Sequence, residues 1–310
     1  MQLAQRPFRD DMDKARMAAL VALQAADHLH TVDLPYRLSS WAFDEPENVA
    51  LWETADGTLL GWSVLQSPFW AIELAAHPDA PPSLSGEMLA WADQRARAIS
   101  GADYGRPAWF IGVLERQHEL RAVLEVQGFA DQHAAGENAW SKYLFRRGAG
   151  QPTPQAAWPT GIAIRPLHGA GETPAYVALH RAVFDSTSMT ESWRARTLTH
   201  PDYRPELDLV AVDQQGTLAG FCICWVTAHG PGGLPSGQIE PLGVRADRRN
   251  TGVARALLAE GLKRMIRLGA QQIFVETDNY RGAAFNLYTS AGFAIAEHVR
   301  VYRKDYDLST

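Results

Sequence analysis

Cysteine is nearly absent: the 310 residues hold two, Cys222 and Cys224, two apart in the apolar run Phe221-Cys222-Ile223-Cys224-Trp225. In a strand that spacing puts both on one face, where they read as buried thiols. A Cys-x-Cys metal site would need further ligands, and no other cysteine exists to complete it. The ten histidines are scattered and no His-Glu-x-x-His pattern occurs, so no metal is expected. Long apolar runs are also missing. None approaches the roughly 18 residues of a membrane span, and no membrane association is expected. Met1 to Asp13 is charged and has no apolar stretch leading to a small-residue cleavage site, unlike a signal peptide. A reduced, cytoplasmic protein is the natural expectation. Basic excess is lacking too: 29 Lys and Arg stand against 35 Asp and Glu, a formal charge of −6. A nucleic-acid scaffold would need a basic face, so none is expected as partner. A cationic or neutral small substrate fits the balance better.

What is present is a globular composition, 46% hydrophobic and 21% charged, in a chain long enough for two ordinary domains. The segment Arg147 to Gly161 is rich in proline and glycine, lacks periodicity, and reads as a linker. On either side the chain resembles itself. Gly57-Thr58-Leu59-Leu60-Gly61-Trp62 matches Gly216-Thr217-Leu218-Ala219-Gly220-Phe221. Ser100-Gly101-Ala102 matches Leu268-Gly269-Ala270, and Gly128-Phe129 matches Gly292-Phe293. The three matches keep their order, which predicts two related domains, 1–150 and 151–310.

The second half has the clearer pattern. It predicts strand 162–166, helices 173–184 and 191–199, a hairpin of strands 207–213 and 218–227, and strand 238–244. Helix 252–268 follows, with Ala254, Leu257, Leu258, Leu262, Met265 and Ile266 on one stripe. Strand 273–277, helix 281–290 and strand 293–302 complete a mixed α/β sheet flanked by helices.

The turn from strand 238–244 into the long helix is a ready anion site. First-turn N–H groups lack intrahelical acceptors, and the helix dipole is positive there. Gly252 and Ala254 are small enough for a phosphate to approach the backbone, and Arg248 and Arg249 add charge. No Gly-Lys-Ser/Thr follows, and no Gly-x-Gly-x-x-Gly is present, so neither a Walker A loop nor a dinucleotide fingerprint accounts for it. An ordinary strand-to-helix turn with an exposed arginine pair is the bland alternative. Arg249-x-x-Gly252-x-Ala254 resembles the Gln/Arg-x-x-Gly-x-Gly/Ala motif of the GNAT superfamily of acyl-CoA-dependent N-acetyltransferases. Further on, Asn279 and Leu287-Tyr288-Thr289-Ser290-Ala291-Gly292-Phe293 resemble that family's Asn…Leu-Tyr-x-x-x-Gly-Phe signature. The resemblance covers about Ile162 to Tyr306 and implies two tandem GNAT-like domains, each a mixed, mostly antiparallel sheet.

The same resemblance implies acetyl-CoA as cosubstrate and a small-molecule or peptide primary amine as acceptor, with transfer direct and the chain a monomer or homodimer. It implies a pyrophosphate cradle of Arg249, Asn250, Thr251, Gly252, Val253, Ala254 and Arg255. It also implies that the Leu242, Gly243 and Val244 backbone pairs with the pantetheine arm, and that Tyr288 protonates the leaving sulfur. Asn279 would be a further cofactor contact, but it stands nine residues before Tyr288 where the family has seven. Thioester aminolysis also needs a base, since an alkylamine with a pKa near ~10.4 is protonated at neutral pH. Glu240, on a face shared with Gln238, Leu242 and Val244 by simple alternation, is the nearest acidic candidate. Each role has a plain structural counterpart: Tyr288 as an aromatic packing a helix on the sheet, Glu240 as a strand carboxylate bonded to a neighbour.

In the first half, alignment puts Pro81, Leu84 and Gly86 where Arg249, Gly252 and Ala254 stand, and Leu124 at the place of Tyr288. Prolines remove N–H donors and leucine adds bulk. The first half thus reads as a degenerate copy lacking the loop motif, and chemistry is expected in the second. A non-enzymatic acyl-CoA sensor is the alternative from another class.

Overall fold

The computed structural model describes residues 3–155 and 158–306. In chain order the first half runs β1 (Ala4–Pro7), α1 (Asp11–Leu23), α2 (Leu34–Leu38), β2 (Val49–Glu53), β3 (Leu59–Gln66), β4 (Ala71–Ala76), α3 (Leu84–Ala98), β5 (Ala108–Leu114), α4 (His118–Val126), β6 (Ala130–Asp131) and β7 (Ser141–Gly148). The second runs β8 (Ile162–Pro166), α5 (Thr173–Phe184), α6 (Glu191–Thr199), β9 (Asp208–Asp213), β10 (Leu218–Thr227), β11 (Ser236–Val244), α7 (Val253–Arg267), β12 (Gln272–Asp278), α8 (Gly282–Ser290) and β13 (Ala294–Asp305). Every strand and helix that periodicity predicts for the second half is present, with ends moved by up to three residues. No helix among the described residues is long and apolar enough to cross a membrane.

Two compact units form, and neither is a contiguous half. One comprises 1–31, 40–142 and 297–310; the other comprises 32–39 and 143–296. In the first unit the strand order is β1-β2-β3-β4-β5-β13, and β13 pairs antiparallel with β5 from Val299↔Leu114 to Asp305↔Ala108. In the second the order is β7-β12-β11-β10-β9-β8. Each unit's outermost strand beyond its parallel pair is thus drawn from the other half of the chain. The boundary drawn at 150/151 differs from this division, because strand pairing rather than sequence proximity decides membership. Arg147, expected in a linker, belongs to β7. Its buried guanidinium donates to the carbonyls of Ala291 (2.9 Å), Gln151 (2.8 Å) and Pro152 (2.7 Å). Ala156 and Ala157 of the expected linker lie outside the described residues.

Local sequence explains the element ends of the second unit. Thr190 caps α6 by accepting from the Trp193 N–H at 3.1 Å. Gly269, at φ +93°, closes α7, and the Ala270 N–H reaches back to the Met265 carbonyl. The predicted stripe of α7 is buried, with Leu257, Leu258, Leu262 and Met265 packing on Cys222, Cys224, Ile239 and Ile273. Gly261 sets the approach of helix to sheet, for a Cβ there would stand 2.8 Å from the Cys224 sulfur. Both cysteines are buried free thiols on that face, as their spacing implies.

The opposite face of the same sheet is aromatic. Phe221 projects between Tyr176 (centroids 5.2 Å apart) and His180, which stacks on it at 5.5 Å and 15°. Beside them the buried Arg194 guanidinium lies 3.9 Å from the Tyr176 ring centroid and pairs with buried Asp208, which also accepts from the Tyr203 hydroxyl at 2.7 Å. Burial, with the Arg194 charge added, lowers His180 to about 3, so its ring is neutral. Its Nδ1 has no hydrogen-bond partner among the described residues.

The unfolded chain takes up that proton near pH 6.5 while the folded chain refuses it until about pH 3. His180 therefore destabilises the fold as pH falls through this window, by on the order of 3 kcal/mol at pH 4 relative to pH 7. His180→Phe, which keeps the stack on Phe221, should flatten the fall in melting temperature between pH 6.5 and 4; an unchanged slope would assign the acid sensitivity elsewhere.

Candidate active site

The site begins with a count of residues on two adjacent strands. β10 and β11 pair antiparallel at Gly220↔Val244, Phe221↔Gly243 and Cys222↔Leu242, and then at Cys224↔Ile239. Two residues, Glu240 and Pro241, therefore oppose the single residue Ile223, which makes a β-bulge on β11. On its other side β11 pairs parallel with β12 from Ser236↔Gln272 to Ile239↔Val275 and no further. Among the described residues, the strand from Glu240 to Val244 keeps its β10 neighbour only, so one edge of its backbone is open where the two parallel strands part. Pro241 carries a sequence signal for this irregularity, since proline within a sheet is confined to edges and bulges.

The bulge corrects the simple alternation expected for β11. Ile239 and Val244 belong to the core under α7 and α8, with Leu242 packed against it, so the phase changes at Glu240–Pro241. Leu242 and Val244 thus do not continue the face of Gln238. Gly243 turns toward the aromatic face, where a Cβ would meet Phe221 Cζ at 2.5 Å and Val183 Cγ1 at 2.7 Å. Glu240 is half-buried at the bulge itself, and its carbonyl oxygen accepts from the Trp225 indole N–H at 2.9 Å.

From the end of β11 the chain passes through Arg249, Asn250, Thr251 and Gly252, all exposed, into α7. Asn250 (φ +60°) and Gly252 (φ +88°) are both left-handed, and the Thr251 hydroxyl donates to the Arg248 carbonyl at 2.7 Å. Glycine at 252 is thus favoured by the backbone, while a Cβ there would meet only Pro159, at 3.8 Å. α7 has no side-chain cap, and its first capping bond is that of Ala256 N–H to the Gly252 carbonyl. Among the described residues the N–H groups of Val253, Ala254 and Arg255 have no acceptor. Nearby cations divide in two. Arg245 and Arg248 face Asp213 at 3.2 and 3.7 Å and also pair with Asp247. Arg249 meets no carboxylate among the described residues, and Arg255 reaches only the Ser290 hydroxyl, at 3.5 Å. The loop thus offers three backbone donors and two unneutralised guanidinium groups to an anion.

Tyr288 lies on α8 with its ring buried against Phe145 and Phe293, at 6.2 and 5.9 Å between centroids. Its hydroxyl makes no hydrogen bond among the described residues. Burial raises its pKa well above the ordinary phenol value, and the Cys222 and Glu240 charges push the same way while Arg281 opposes them. The phenol is therefore a protonated group at neutral pH, within electrostatic reach of Glu240. Asn279 directly follows β12, and Arg281, bonded to Asp278 at 2.8 Å, opens α8. Arg281, Trp225 and Tyr36 were not singled out from the sequence; all three lie around Glu240.

The first unit permits a register-by-register comparison. There Gly61↔Ala76, Ser63↔Leu74 and Leu65↔Ile72 repeat Gly220↔Val244, Cys222↔Leu242 and Cys224↔Ile239. Between Ile72 and Leu74 stands one residue, Glu73, so the acid is kept and the bulge is not. Among the described residues β4 pairs with β5 at Ala71↔Phe110 alone. The following loop is one residue shorter, so the cap that matches Gly252 is Ser83, right-handed at φ −68°, rather than Leu84. The Leu84 N–H is already taken by the Pro81 carbonyl at 2.9 Å. Leu124, opposite Tyr288 in the repeat, is core.

Comparison with known proteins agrees with this asymmetry. Residues 175–293 match the Acetyltransferase (GNAT) family. A mycothiol acetyltransferase from Thermobispora bispora is 28% identical over 229 residues, covering 70% of this chain and 74% of that protein. In fold, the chain is similar to a GCN5-related N-acetyltransferase from Sphaerobacter thermophilus, with TM-score 0.65, 20% identity, and 99% and 98% of the two chains covered. It is also similar to a tandem GNAT protein from the clavulanic acid biosynthesis pathway, with TM-score 0.67, 14% identity, and all of both chains covered. A binding-only sensor is thereby set aside. The stretch that matches the acetyltransferase (GNAT) family, residues 175–293, is the one that holds the bulge, the exposed loop and Tyr288.

Proposed function

We propose that the second unit transfers the acetyl group of acetyl-CoA directly to a primary amine of a small molecule. The observation that carries this is the convergence in one unit of a parted strand pair, an uncapped helix N-terminus and a phenol held protonated. As a GNAT acetyltransferase the protein uses acetyl-CoA as its cosubstrate. In the proposed arrangement the Val253, Ala254 and Arg255 N–H groups hold the pyrophosphate, with Arg249, Asn250, Thr251 and Gly252 shaping the approach. The open backbone edge of Leu242, Gly243 and Val244 takes the pantetheine amides as an added strand would. Asn279, at the end of β12, borders the same opening.

The chemistry assigned to the residues balances as follows. Glu240 accepts a proton from the ammonium, directly or through water, and leaves a neutral amine. The amine nitrogen bonds to the thioester carbon, whose oxygen gains charge beside the β11 backbone donors. As the carbon–sulfur bond breaks, the Tyr288 phenol gives its proton to the thiolate, and the proton that the bonded nitrogen sheds on becoming an amide returns to the phenolate through water. The raised pKa of Tyr288 keeps the phenol protonated until the carbon–sulfur bond breaks. The relatives' name directs the choice of acceptors for testing, which include that of the mycothiol acetyltransferases.

Thiol release from acetyl-CoA across an amine panel tests the activity, and no turnover with any amine would contradict it. Tyr288→Phe should lower kcat by about 10²- to 10⁴-fold, the usual weight of a general acid, while acetyl-CoA affinity stays near that of the parent. Equal kcat would remove the phenol from the chemistry. Gly252→Leu must place a branched side chain at φ +88°, at a cost of about 1–2 kcal/mol in stability. It should abolish CoA binding in calorimetry while circular dichroism stays native; normal affinity would mean that the pyrophosphate sits elsewhere.

A further inference from the structure

The second unit contains a piece of the first half of the chain, residues 32–39. This is α2 and its flanks, and it is tied in at both ends. The Trp193 indole N–H donates to the Tyr36 carbonyl at 3.2 Å, and Arg196 Nε donates to the Ser39 carbonyl at 2.8 Å. The Tyr36 ring, buried, lies 5.0 Å from Trp193 and 6.2 Å from Trp225 between centroids. Three large rings from α2, α6 and β10 therefore form one packed group.

The last of these rings performs a specific task. A bulge leaves the extra residue without a ladder partner, and Pro241 has no N–H to offer. Across this bulge the Trp225 indole N–H donates to the Glu240 carbonyl at 2.9 Å. Loss of that bond in this half-buried place would favour slippage of β11 toward the regular register seen at Glu73. Slippage would carry the Glu240 carboxylate away from the point where β11 and β12 part. We infer that Trp225 is a positioning residue that pins the Glu240 bulge through its indole N–H, and that Tyr36, supplied by the first half of the chain, holds Trp225 for that purpose. The inference rests on the proposal that Glu240 is the base. It gives the first half a part in the reaction without a ligand of its own. The effect of Tyr36 passes through Trp225, on which its ring packs.

Two substitutions and one control separate these ideas. Trp225→Phe keeps an aromatic ring and removes the donor; it should lower kcat on the order of 10- to 100-fold, the range produced by displacements up to about 1 Å. Acetyl-CoA affinity should stay within about twofold, since the pyrophosphate loop is untouched. The acid limb of the kcat–pH profile should move, which a loss of folded protein alone would not cause; rates are normalised to sites counted by acetyl-CoA binding. Tyr36→Leu should reproduce both effects, and Tyr36→Phe, which keeps the ring, should restore parental values. Glu240→Gln is the control. If it is impaired while Trp225→Phe and Tyr36→Leu show parental kcat and pH limb, the positioning inference is overturned and the base stands. If Glu240→Gln itself is parental in rate and profile, the base proposal fails and the inference falls with it.

Discussion

One extra residue in one strand is the constraint on which the rest depends. Regular pairing of β10 with β11 would place one residue opposite Ile223, as Glu73 alone stands opposite Val64 in the first unit. Two residues opposite Ile223 break that regularity, and the parallel pair parts from the next residue onward. The bulge reverses which residues face the core, sends Gly243 to the aromatic side, and sets Glu240 at the point of parting. The loop and α7 then follow from a strand that ends apart from its neighbour, so the helix N-terminus lies beyond the opening with its donors unspent. Bulge and helix start are separate solutions to the same accounting of backbone hydrogen bonds.

The two units show what the extra residue changes. Their registers coincide at three pairs, and both place a glutamate after the matching isoleucine. In the first unit the strand is regular, the loop is one residue shorter, and the helix start is filled by a leucine whose N–H is already bonded. That unit also takes its outer strand β13 from the end of the chain, while the second takes β7 from the first half. The two halves are therefore interdependent for folding even though the chemistry is assigned to one. A first half that no longer carries the loop motif still supplies β7 and α2 to the second unit.

Much of the second unit was legible in the sequence because its signals are periodic and local. The stripe of α7, the glycine after it, the hairpin between β9 and β10, and the Cys-x-Cys face each follow from spacing between near neighbours. The helix start behind the loop from Arg249 to Gly252 was legible as a source of free N–H donors, because helix starts leave them. What stayed hidden depends on pairing between distant segments. The exchange of β7 and β13 has no local mark, so a contiguous boundary at 150/151 was the natural expectation. The bulge was marked only by Pro241, and without it alternation assigned Leu242 and Val244 to the face of Gln238. Tyr36 and Trp225 were invisible as a pair, since nothing in residues 32–39 announces that they pack some 190 positions later in the chain. Matching by sequence offset also put Leu84 opposite Gly252, where the backbone puts Ser83.

Backbone amide exchange with and without acetyl-CoA tests the central claim most directly, because the account names the amides involved. Protection is predicted at Leu242 to Val244 and at Gly252 to Arg255, with no change at Glu73 to Ala76 or at the start of α3. Protection at the α3 N-terminus instead, or none at the edge of β11, would contradict the claim that one bulged strand and the loop behind it make the acetyl-CoA site.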